Sequence, residues 1–344
     1  AAPYGYGSFT NIDASSLAAW NGDLYAATIN PFYGTQIFRS ACEGGVPYAD
    51  WAQLNVDGFS GNHNTTVSSL SVYGGRLVAG TWSSIGCEAW RWDGASWERF
   101  AAGGFAPDRD NLGVASALPW GADLFLGIER DSPAASLWRY DGSGLTLVDG
   151  GGLGDLYNTG VSCLAGCGSS LYAGTVGHFA GSVYRYDGAS GFTRVAEPGF
   201  GGTNDVYAMA AVGGRLYAGT GGPQDGAAVW AYEGSGTGAS AWTKVSPDGF
   251  GDVNQIAMSM AVYNGSLHVG TLNSKGCEVW AYDGLQWDRV AEGGFGDGCN
   301  ESVSSMAVFG GRLYAGTERT PGMPGGCQVW SYDGASWRQE VGHG

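Results

Sequence analysis

Charged residues are scarce in this chain, only 14% of 344 positions, and positive ones scarcer still, with 16 Lys and Arg against 32 Asp and Glu. The resulting net charge of −16 repels a phosphate backbone or an anionic membrane surface, which excludes nucleic acid as a partner. There is no apolar run near the ~18 residues of a membrane span, and no basic segment followed by an apolar one at the start. The chain opens Ala1-Ala2-Pro3 without Met, which we read as the start of a mature secreted protein. Histidine is limited to His63, His178, His268 and His343, and HExxH, GxSxG, CxxC and GxxxxGK[ST] are all missing. The common zinc, serine-hydrolase and nucleotide constellations therefore have no anchor.

What is abundant is glycine, 63 residues, together with 14 Trp and 18 Tyr. This is a composition for short strands and tight turns, where glycine supplies positive φ and aromatics cover the pleats. One stretch recurs along the chain: Leu24 to Thr28, Leu77 to Thr81, Leu124 to Ile128, Leu171 to Thr175, Leu216 to Thr220, Leu267 to Thr271 and Leu313 to Thr317. The last residues of these seven copies lie 53, 47, 47, 45, 51 and 46 apart, the mark of a repeat architecture extending over the whole chain.

Four strands are expected per repeat. A small apolar strand such as Ser304 to Val308 turns at Gly310-Gly311 (Asn264-Gly265 and Asn21-Gly22 elsewhere) into the Leu-Tyr-Ala-Gly-Thr strand. A variable loop leads to a third strand, as at Cys277 to Tyr282; Asp283-Gly284 then turns into a fourth, Trp287 to Val290. A Gly-Phe-Gly loop closes the repeat, as at Gly249 to Gly251 and Gly294 to Gly296. Such units cannot bury both faces alone and must stack on one another. The expected fold is all-β, a seven-bladed β-propeller of four-stranded antiparallel blades, one domain over residues 1–344. The chain is expected to start before a first strand and end after a fourth, so that closure needs no exchanged strand.

The order Val279-Trp280-Ala281-Tyr282-Asp283-Gly284, then Trp287, then an apolar strand and Gly310-Gly311-Arg312-Leu313-Tyr314 resembles Kelch-type propeller repeats of the kind found in bacterial secreted proteins. The resemblance covers all seven repeats and implies the fold. It departs where Kelch strands end in a Gly pair and this chain has Ala-Gly-Thr. Propellers host enzymes, lectins and scaffolds alike, so the resemblance carries no activity.

Candidate sites follow from what the repeats share and where they differ. Asn11, Asn64, Asn111, Asn158, Asn254 and Asn300 stand 17 residues before the end of the recurring strand, with Asn204 one place off. Their amides either turn the loop before the inner strand or form a repeated hydrogen-bonding surface for a polyhydroxylated ligand. Nearby carboxylates, Asp108, Asp110, Asp155, Asp252 and Asp297, make these loops oxygen-rich; Asp252 and Asp297 are the candidates for a Ca²⁺ site. The segments after the recurring Thr share one face and all differ. Among them are Asn30-Pro31-Phe32-Tyr33, Trp82-Ser83-Ser84, Glu129-Arg130-Asp131, His178-Phe179, Pro223-Gln224-Asp225 and Glu318-Arg319-Thr320. Phe32, Tyr33, Trp82, His178 and Phe179 are the candidates for stacking on sugar rings or meeting a protein surface.

Seven cysteines leave at least one unpaired. Cys163 and Cys167, four residues apart on a strand, are about 13 Å apart, beyond disulfide reach. A Cys277–Cys299 bridge is expected, with Cys299–Cys327 or buried free thiols as alternatives, and a bridge would point to an oxidising compartment.

The functional expectation is a secreted, lectin-like binding module recognising glycan or a protein surface through one loop face. A polysaccharide lyase or hydrolase using Glu129, Arg130, His178 and Arg319 at the channel mouth, and a self-associating structural subunit of an extracellular layer, are the alternatives.

Overall fold

The computed structural model describes residues 2–43, 46–59, 61–105, 110–131, 134–222, 224–320 and 322–342. Asp108, Pro223 and His343 lie outside the described residues, as does the side chain of Cys42.

Apart from Ala2–Pro3, the strands among the described residues fall into seven consecutive antiparallel sets of four, for instance Ile256–Tyr263, Ser266–Leu272, Val279–Tyr282 and Trp287–Ala291. The first turn is set by local backbone chemistry. Asn264 and Gly265 both have positive φ (50° and 81°), as do Asn21 and Gly22 (50° and 84°), the two-residue hairpin geometry that matches strand twist. The second turn is held by its aspartate: Asp283 Oδ1 accepts from the backbone N–H of Leu285 and Gln286, and Asp93 and Asp333 do the same in their units.

The recurring strand is buried along nearly its whole length, from Leu267 to Thr271 and from Leu313 to Thr317. Its glycine is dictated by the neighbouring unit, not by φ. A Cβ built on Gly270 would sit 2.5 Å from the Val303 Cβ, and one on Gly80 would sit 2.5 Å from that of Val114. Inner-strand hydroxyls tie unit to unit: Ser259 Oγ donates to Val303 O (2.6 Å), Ser69 Oγ to Val114 O (3.0 Å) and Ser116 Oγ to Val161 O (2.8 Å).

The closing loops lean forward onto the next unit. Phe250 stacks on Trp280 at 5.2 Å and meets Trp287 edge-on at 5.0 Å; Phe295 repeats this on Trp330 and Trp337, and Phe59 on Trp90 and Trp97. These phenylalanines sit at φ of 55°, 61° and 63°, an unfavourable backbone for a non-glycine residue that the aromatic burial offsets. In return the outer-strand tryptophans reach back, Trp287 Nε1 to Val245 O and Trp337 Nε1 to Val290 O.

The last unit joins the first by the same devices. Asp13 pairs with Glu318, Ser305 Oγ donates to Ala14 O (2.6 Å), and Tyr6 takes the phenylalanine's place, stacked 4.1 Å from Phe38. One expectation fails here. Residues Ala2–Pro3 form a short strand lying parallel to the outermost strand of the last unit, Ala2 opposite Val341, so an N-terminal segment does latch the closing unit.

Candidate functional site

The recurring asparagines are interior residues. Asn254 is 1% exposed; its Nδ2 donates to Gly249 O (3.1 Å) and Glu278 Oε2 (2.6 Å), and its Oδ1 accepts from Thr271 Oγ1 (2.7 Å) and Asn273 Nδ2 (3.1 Å). Asn64 bonds Gly58 O, Glu88 and Thr81; Asn158 bonds Gly152 O, Tyr184 and Thr175; Asn300 bonds Gly294 O, Gln328 and Thr317. Asn111 donates to Gly104 O (2.6 Å) and accepts from Ser136. Asn254 thus has all four of its hydrogen-bonding positions filled, and Asn64, Asn158 and Asn300, with both amide protons donated, tie the closing loop to the recurring strand. Each network continues outward: Glu278 also accepts from Trp280 Nε1 and Arg289, and Glu88 from Trp90 Nε1 and Arg99.

The candidate Ca²⁺ carboxylates are engaged too. Asp252 Oδ1 accepts from the Val253 N–H, and Asp297 Oδ2 accepts from Arg319 Nη1 at 2.7 Å while Oδ1 accepts from the Cys299 N–H. Among the described residues no three His, Cys, Asp or Glu side chains gather as a metal ligand set.

The expected Cys277–Cys299 bridge is not formed: both are free thiols, as are Cys87, Cys163, Cys167 and Cys327. Cys277 is fully buried in an apolar cluster with Val279, Val303 and Ala315, whereas Cys299 lies on a half-buried loop whose carbonyl accepts from the Thr320 N–H. Burial pushes the Cys87 and Cys163 thiols up to about 12 and that of Cys277 higher still.

The candidate aromatics fall in different surroundings. Phe32 (65% exposed) and Tyr33 (60%) follow Asn30, whose Oδ1 accepts both their N–H groups and holds the turn. They line a groove of about 550 Å³ between the first and last units, with Phe9 (75%) and Met323 (47%) on its rim. Arg319, buried and paired with Asp297, forms part of its lining. Phe179 and His178 belong to the fourth unit, where Phe179 meets Tyr157 edge-on at 4.9 Å. Trp82 is half-buried, and its backbone pairs with that of Gly113 in the next unit. Phe9 and Met323 carry no repeat signal and were not legible as site residues.

A second cavity, of about 360 Å³, runs along the axis. Its wall includes equivalent inner-strand positions of all seven units, namely Ser15, Ser68, Ala115, Ser162, Tyr207, Met258 and Ser304. At its mouth lie the residues just after the recurring Thr, among them Ile29, Glu129 and Val176, and Glu318 stands at the same register. Burial holds the carboxyls of Asp13, Glu129, Asp205 and Glu318 above the usual carboxylate range, and Asp13 is raised further by Glu318 opposite. The Tyr207 hydroxyl, walled in beside Asp205, is pushed up to about 12.

No protein-family model and no curated protein matches the chain. Solved structures do resemble it in fold. The RRP9 WD40 repeats align with a TM-score of 0.58 at 14% identity, covering 91% of this chain and 90% of that one. The fold is of the β-propeller repeat type. The extracellular domain of a putative hybrid two-component system from B. thetaiotaomicron aligns with a TM-score of 0.63 at 16% identity, over 94% of this propeller and 38% of that chain. An acylaminoacyl peptidase of Pyrococcus horikoshii aligns with a TM-score of 0.54 at 11% identity, over 98% and 54%. The likeness is to propellers as a class and does not single out the Kelch type.

Proposed function

We propose that the chain is an extracellular ligand-binding module, a single seven-bladed propeller that captures a glycan in the groove between its first and last blades. The observation that carries this is the convergence of Phe32, Tyr33, Phe9 and Met323, all exposed, around one groove of about 550 Å³. Large exposed apolar side chains grouped on irregular loops mark a contact surface, and flat aromatics stack on the apolar faces of sugar rings. The Arg319 guanidinium and the backbone of Gly322 and Gly325 supply polar groups along the same groove.

Seven sets of four strands, with Asp13 pairing to Glu318 across the last joint, support the blade count. For the location, two facts lend support: the Bacteroides neighbour is an extracellular domain, and no described helix is long and apolar enough to cross a membrane. With Cys277 and Cys299 unbridged, no disulfide adds to that argument.

A glycan array followed by titration calorimetry tests the reading. Tyr33→Ala and Phe32→Ala are each expected to weaken binding at least about tenfold, near 1.4 kcal/mol, without changing the melting temperature. Silence across all sugars by the folded protein would overturn it.

A further inference from the structure

The acids at the axis are not required by the fold. At the inner-strand register of Asp13, the other blades carry Thr66, Gly113, Gly160, Ile256 and Ser302, with an acid again only at Asp205. At the register of Glu318 they carry Ile29, Trp82, Val176, Gly221 and Leu272, with an acid again only at Glu129. Packing is thus satisfied without charge in most blades. Yet Asp13 and Glu318 are bridge partners across the joint between last and first blades, so two carboxyls are set side by side. Asp13 is 4% exposed, lines the axial cavity, and its Oδ1 accepts no hydrogen bond. A buried carboxylate oxygen without a donor is destabilising unless a proton or a cation offsets it.

The shape of the site selects among cations. A single metal ion needs its ligands at one point, and among the described residues no three such side chains gather. Glu129 instead belongs to the third blade and Asp13 and Glu318 to the first and seventh, so the charges are distributed around the wall. Between them the wall is apolar at Ile29, Val176 and Met258. We propose that the axial channel binds a linear organic polycation of the di- or polyamine class, one ammonium at Asp13 and Glu318 and another at Glu129, with its methylenes against the apolar wall. The inference stands on the channel and not on the groove, and either can fail alone.

Calorimetry with spermidine, with putrescine and with Ca²⁺, at low and at moderate salt, is the test. Spermidine is expected to bind one to one. Glu318→Gln and Glu129→Gln should each weaken it at least about tenfold. Glu292→Gln, an exposed acid paired with Arg289 on the outside, should leave it unchanged, as should Tyr33→Ala. Binding should weaken as pH falls, because burial lets the Asp13 and Glu318 carboxyls take up protons at higher pH than exposed acids do; Glu301 lies beside Glu318, and the Ser304 hydroxyl and the Cys327 thiol lie near Asp13. Three outcomes would overturn the proposal: no spermidine binding to the folded protein, tight Ca²⁺ binding without spermidine binding, or equal losses from Glu292→Gln and Glu318→Gln. The last would mean diffuse attraction to a chain of net charge −16.

Discussion

At the residue scale, the recurring asparagine separates what spacing reveals from what it hides. Its period of 17 residues from the recurring Thr was legible, and that Thr turns out to be its hydrogen-bond partner in five of the blades. Its burial was not legible, because a polar residue beside turn glycines reads equally well as an exposed loop amide. In the fifth blade the network is incomplete: Asn204 Oδ1 has no partner, and its Nδ2 bonds are long at 3.4 and 3.2 Å. Asn254→Ala is therefore expected to cost about 1–3 kcal/mol in urea unfolding, and Asn204→Ala clearly less. Asp13 makes a second prediction at this scale. The folded state holds its proton to higher pH than the unfolded chain does, so its contribution to stability is present in acid and is lost as pH rises above about 4 through the folded-state value. Asp13→Asn should flatten the fall in melting temperature across that range.

At the level of the single strand and its turns, the hairpins were legible because Asn-Gly, Gly-Gly and Asp-Gly state a backbone requirement directly. The glycine of Ala-Gly-Thr states a different one. Its neighbour lies 33 residues on, in the next blade, as Val303 does from Gly270, and a single repeat gives no sign of that contact. Gly270→Ala should destabilise by about 1–3 kcal/mol, measured by chemical denaturation, since its Cβ would meet Val303 and the Ser259 hydroxyl. The first blade carries Ala27 at the same register, with Val67 packed in the same cluster, so this joint alone has already made room. Cys87, Cys277 and Cys327 stand at one register, two residues before the third strand of their units, each fully buried in an apolar slot. Burial raises all three thiols. A thiol reagent at pH 8, mapped by mass spectrometry, should leave them unlabelled in the native protein and label them after denaturation.

For the whole molecule, the propeller-type repetition was legible and the way the first and last units are fastened was not. A two-residue strand such as Ala2–Pro3 has no pattern to read, and Tyr6 stands where the other blades have Phe or Leu. Removing residues 1–7 takes away the pairing with Val341 and the stack on Phe38, and should lower the melting temperature by several degrees while leaving the strand signal in circular dichroism intact. The two proposed sites follow the same division. The differing residues after each Thr were visible as a break in agreement, but only the joining of distant units sets Asp13 and Glu129 on one axial cavity and brings Phe9 beside Met323.

The forward lean of each closing loop has a consequence for how the chain could be rearranged. Because the loop of one blade supplies the aromatic lid of the next, the segment that is repeated in the sequence and the body that is complete in space are offset by part of a blade. A circularly permuted chain cut in any Asp-Gly turn, far from a lid, would keep every lid joined to both of the blades it spans. One cut at a Gly-Phe-Gly loop would sever a lid from its socket.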